Sequence, residues 1–109
     1  MRLVRFDPAR LITQHGSSGA SVAGIARISG SAHVVSIRLA PGGVLGEHPA
    51  VLAQLFLVVE GSGWVRAWED RRDVAVGSAA YWEPNELHES GTEDGLTAIV
   101  VEAETIELV

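Results

Sequence analysis

Two histidines stand in glycine-bounded stretches of this chain. His48 lies between Pro41-Gly42-Gly43 and Gly61, with Gln54 after it. His88 follows Gly77 and Pro84, with Glu83, Glu86 and Glu89 around it. Neutral imidazole is a good ligand for zinc, iron, copper, nickel and manganese. A glutamine ligates through its carbonyl oxygen, uncharged and more weakly than a glutamate. A carboxylate beside a histidine becomes a general base when burial raises its pKa. Glu86, two residues before His88, is the first candidate for that role. The bland readings stand beside these. A histidine lining a polar barrel also holds a water or a backbone carbonyl, and glutamates clustered in a loop are commonly just solvated.

The two stretches resemble the paired motifs of the cupin superfamily. In the first motif His48 is in register, Ala50 stands where a second histidine is usual, Gln54 stands in the glutamate position, and Gly61 closes the motif. In the second, Gly77 leads and His88 is in register. Glu83 and Asn85 replace the usual proline and glycine, and Thr92 replaces the final asparagine. The resemblance covers roughly residues 32–102. It implies that the motifs face each other inside a barrel and that His48, Gln54 and His88 hold three of four metal-ligand positions. The ion would be a divalent metal such as Zn, Fe, Mn or Ni, with water or a nearby glutamate completing the set. Gln54 in place of a carboxylate departs from the two-histidine, one-carboxylate arrangement of non-haem iron enzymes.

Strands must position these residues. Val35, Ile37 and Leu39 alternate with Val34, Ser36 and Arg38, the period of a half-buried strand. Val51 to Glu60 is nearly all apolar and reads as a strand buried on both faces. If Gln54 points inward, so do Phe56 and Val58, while Leu55, Leu57 and Val59 face a second layer. That outer row needs a cover, from a partner subunit or from the N-terminal arm. Gly61-Ser62-Gly63 is expected as a turn, Trp64 to Trp68 as a strand, and Glu69 to Arg72 as a charged hairpin tip. Ala79 to Trp82 and Leu96 to Val101 follow as strands, with Thr105 to Val109 as a last edge strand. Strands at spacings of about 8–12 residues fit a sandwich or barrel. Residues 1–31 read as an arm with a possible edge strand, and residues 32–109 as the barrel. The fold class is therefore all-β, and the resemblance makes it an antiparallel cupin-type jelly roll of about six to eight strands.

Trp82, just before the second motif's loop, and Phe56 are the expected pocket walls. Arg38 would bind a carboxylate or phosphate if it pointed inward; the alternative is a solvent-facing arginine. Trp64, Arg66 and Trp68 share one face, for stacking on a planar group or for packing the arginine stem. His15 and His33 lie outside both motifs and read as surface or structural.

Composition narrows the chemistry. The chain has 109 residues, enough for one domain. It has no cysteine, which removes disulfides and thiolate chemistry. Its positive charges are all arginine, which removes lysine Schiff bases. A net charge of −6 without a basic stripe argues against nucleic acid. No apolar run approaches the ~20 residues of a membrane helix, and the N-terminal residues through Pro8 lack a signal-peptide pattern. The expectation is a cytoplasmic homodimer that binds a small organic molecule through a metal centre, with oxygenase or isomerase as family-typical reactions. The alternative is a metal-free binding or sensor cupin without catalysis.

Overall fold

The computed structural model describes residues 1–7 and 9–109, so Pro8 of the arm lies outside it. Among the described residues ten strands run in chain order: β1 (Arg2–Arg5), β2 (Arg10–Ile12), β3 (Ala20–Val22), β4 (Ala26–Leu39), β5 (Val44–Pro49), β6 (Ala53–Ala67), β7 (Asp70–Ala75), β8 (Ser78–Trp82), β9 (Leu87–Gly91) and β10 (Leu96–Leu108). All pairings are antiparallel. One face of the fold is the sheet β1-β8-β6-β10-β4. The other is built from β5, β9, the second half of β6 and β7. β2 and β3 form a separate hairpin. Among the described residues no helix is long and apolar enough to cross a membrane.

β6 joins the two faces. Its first half pairs with β8 and β10, its second half with β7 and β9. Gly61-Ser62-Gly63 is the crossing point and not the turn that its composition predicts. Gly61 has φ 76°, and a Cβ there would collide with the Gly95 carbonyl. A Cβ on Gly63 would collide with the Gly91 carbonyl. A register shift between Thr97 and Ala98 marks the same bend from the β10 side. Glycine here allows a strand to change sheets while neighbouring backbones approach closely.

Other boundaries differ from the sequence expectation for similar reasons. β4 begins at Ala26 and runs across positions 31 and 32, where arm and barrel were divided. Its partner β10 is one strand through Leu108, with an irregularity between Ala103 and Thr105, not two. The hairpin tip is Trp68-Glu69, because Ala67 pairs with Asp70. Trp68 takes φ 52° there, a left-handed conformation that bulky residues seldom adopt. The charged run that follows is strand β7.

The apolar residues sort by parity into two clusters. Phe56, Val58, Val65, Trp82, Ala98 and Val100 form the interior, joined by Val35, Ile37 and Leu45. Leu55, Ala79, Ala103 and Ile106 form the outer cluster, covered partly by Val4, Phe6 and Ile25 of the same chain. The N-terminal segment thus supplies part of the cover that the apolar β6 run requires.

Candidate functional site

His48 and His88 are directly opposite each other on β5 and β9. Their ring centroids are 4.3 Å apart. His88 is buried and shares the interior face with Ser90, whose β6 partner Val65 is in the core. His48 is the exposed member of the pair. Each ring is anchored through Nδ1. His48 meets the Gly46 carbonyl at 2.7 Å, and His88 the Glu86 carbonyl at 3.3 Å. A carbonyl only accepts, so both Nδ1 atoms carry a proton, and a neutral ring so anchored presents its lone pair at Nε2. Burial pushes the His88 pKa below its usual value, with His48 adding to the effect and Glu86 and Glu102 opposing it. His88 is therefore held neutral.

Trp82 lies against His88 with centroids 4.6 Å apart and planes at 31°. Phe56 meets Trp82 edge to face at 5.8 Å. Both are fully buried, so they fill the barrel behind His88 instead of walling an open pocket. Two buried polar atoms here have no partner among the described residues: His88 Nε2 and Trp82 Nε1. One is an acceptor and the other a donor, on adjacent rings.

Gln54 lies in the same interior row. Its cross-strand partners are Trp82 on β8 and Glu102 on β10. Its amide donates to Glu102 Oε1 at 3.0 Å. Glu102 in turn pairs with His33 on β4. The interior row across the large sheet at this level is therefore His33, Glu102, Gln54 and Trp82. Neither His33 nor Glu102 belongs to a motif. A signal for Glu102 existed, because Leu96, Ala98, Val100 and Glu102 alternate along one strand and end an apolar inward row with a carboxylate.

The remaining candidates lie elsewhere. Glu86 has both carboxylate oxygens engaged, by the Met1 ammonium at 2.7 Å and the Glu83 amide at 2.8 Å. Arg38 is exposed and alternates with Ile37 and Leu39, so it lies on the face away from the interior. It is the solvent-facing arginine of the two alternatives. Arg66 is on the outer face of the small sheet, bound to Glu89 at 2.8 Å and Glu47 at 3.0 Å. Trp64 is covered by Arg71, whose guanidinium sits 4.3 Å from the ring centroid. Its indole lies against Gly91, where a Cβ would collide with the ring. A groove of about 560 Å³ beside Trp64 is lined by Arg5, Arg71, Asp73 and Asp94 among others, well apart from the histidine pair.

The expected metal-ligand set is half assembled. The two imidazoles fit a metal ion, with Nε2 free and Nδ1 anchored. Ala50 offers no donor, and Gln54, whose Nε2 is held by Glu102, offers only an uncharged carbonyl oxygen. Among the described residues no group of three or more His, Cys, Asp or Glu side chains is placed to hold an ion. The residues present do not fit a four-ligand centre.

No family model matches the sequence, and no curated protein matches it. Solved structures do. A cupin-like protein from Thermotoga maritima aligns with TM-score 0.64 at 21% identity, covering 72% of this chain and 64% of the other. An RmlC-like cupin from Shewanella frigidimarina aligns with TM-score 0.64 at 20% identity, over 68% of this chain and 67% of the other. A Cupin 2 conserved barrel domain protein from Salinispora arenicola gives 0.62 at 19%, over 66% and 62%. The chain spans about two thirds of the length of these proteins. Identities this low speak to fold alone. The antiparallel topology and these neighbours agree: the chain has the fold of the cupin superfamily.

Proposed function

We propose that this chain is a cupin-type binding protein that takes a small polar organic molecule at the histidine end of its barrel, without a metal ion as intermediary. One observation carries the reading. His88 Nε2 and Trp82 Nε1 are buried on neighbouring rings with no hydrogen-bond partner. Leaving such groups unpaired costs about 1–3 kcal/mol each. A hydroxyl recovers both terms, accepting from the indole and donating to the imidazole. An indole N–H has no use for a metal ion, so the pair suits an organic ligand better than a cation centre. Exposed His48 stands at the entrance, and Phe56 backs the site. The reading includes a homodimer, supported by Val34 and Val59, which remain 61% and 45% exposed.

A second reading has its own support. Two imidazoles with Nδ1 on carbonyls and Nε2 free are oriented as metal ligands commonly are. One experiment separates the two. The Trp82 indole N–H resonance of chelator-treated protein is followed while small hydroxyl-bearing fragments are added, and zinc uptake is measured in parallel. The binding reading expects the resonance to move in chelator and to stay still in His88→Leu. Stoichiometric zinc in the wild type, lost in His48→Ala/His88→Ala and tightened by Gln54→Glu, would replace it with the metal reading.

A further inference from the structure

The carboxylate absent from position 54 has a counterpart on the next strand. Gln54 and Glu102 are cross-strand partners, and the Gln54 amide holds Glu102 Oε1 at 3.0 Å. Both residues extend the interior rows that Phe56 and Val100 begin. Glu102 Oε2 takes no hydrogen bond from the described residues. The amide donor fixes the orientation of the carboxylate.

Among the described residues no ion pair involves Glu102. The titratable groups that act on His88 are His48, Glu86 and Glu102, and Glu83, Tyr81, Arg2 and the Met1 ammonium lie around Glu86. Glu86 is already paired with the Met1 ammonium. His88 is held neutral by burial. The arginines lie elsewhere: Arg38 on the outer face of β4, Arg66 between Glu47 and Glu89, and Arg2 opposite Tyr81 on the outer side of β8. A site for a carboxylate or phosphate needs a cationic partner, and this one presents a carboxylate.

We infer that Glu102, positioned by Gln54, makes this site selective for a small organic cation, an ammonium that also carries a hydroxyl. The ammonium pairs with Glu102 while the oxygen function meets Trp82 Nε1 and His88 Nε2. The inference rests on the binding reading above and adds the charge class of the ligand. Charge-assisted hydrogen bonds are about twice as strong as neutral ones, which gives the preference its size.

The test uses three near-isosteric probes in the presence of chelator: 1-amino-2-propanol, 1,2-propanediol and lactate. Binding is read from the Trp82 indole N–H. The ammonium should bind about tenfold more tightly than the diol, and lactate most weakly. Glu102→Gln should bring the ammonium and diol within about twofold while the diol still binds. In the wild type, raising the salt should narrow the same gap, which keeps the test open if the variant fails to fold. Lactate binding as well as the ammonium, or a preference unchanged in Glu102→Gln, would overturn the charge assignment and leave the site standing. No response to any of the three probes would remove the binding reading and this inference together.

Discussion

The two faces of the small sheet treat their polar residues in opposite ways. On β9, His88 points inward and its neighbour Glu89 points outward. Outside, Arg66 is saturated: Glu89, Glu47 and the Trp68 carbonyl at 3.1 Å all accept from it. Inside, on the other face of the sheet, His88 Nε2 and Trp82 Nε1 have no partner among the described residues. A polar group at the surface finds water or a neighbour and contributes little either way. A polar group kept dry and unpaired is costly, and proteins retain few of them. The outer network is paired within the chain, and the inner pair is the observation on which the proposed binding site rests.

That contrast can be broken first at its apolar base. Phe56→Ala removes the ring that backs Trp82 and should cost about 3–5 kcal/mol in urea unfolding. A loss under about 1 kcal/mol would mean that the interior is not packed as described. The outer network should matter far less. Arg66→Met should cost about 0.5–1 kcal/mol, and the difference should shrink in high salt. The smallest effect on stability should come from the site itself. His88→Leu removes an unpaired polar atom from the interior and should change stability by no more than about 1 kcal/mol, while abolishing fragment binding. A large loss of stability would make His88 a structural residue.

The same variant tests the titration of His88. Its folded pKa is lowered from the usual 6.5, chiefly by burial. The unfolded chain therefore takes up a proton at a pH where the folded chain refuses it. Stability contributed by the neutral ring is full above about pH 6.5 and declines as pH falls toward the folded value. His88→Leu should flatten that slope between about pH 6.5 and the carboxylate range.

Much of this was legible from residue order. The alternation in Val35–Leu39 and in Gln54–Val58 places the inward rows correctly, because side-chain period in a strand is independent of what it packs against. That His48 and His88 face each other is what the cupin resemblance implied, and their register on β5 and β9 comes from the fold. Other features depended on partners far along the chain. Gly61-Ser62-Gly63 has turn composition, yet its φ and close approaches are set by Gly95 and Gly91. Glu86 looked free beside His88 because its partner at residue 1 is distant in sequence. Arg38 and Phe56 each had a face to choose, and only the packed interior shows that one is outside and the other sealed.

The sequence by itself determined an all-β chain and its inward and outward rows, which are local properties of spacing and hydrophobic period; that the two histidines meet is what the cupin resemblance implied. Tertiary structure alone decided that Trp82 and His88 would be buried without partners, that Gln54 would hold Glu102, and that the arginines would lie outside. Those outcomes arise from pairings between strands tens of residues apart, where antiparallel register brings together side chains that no short motif contains.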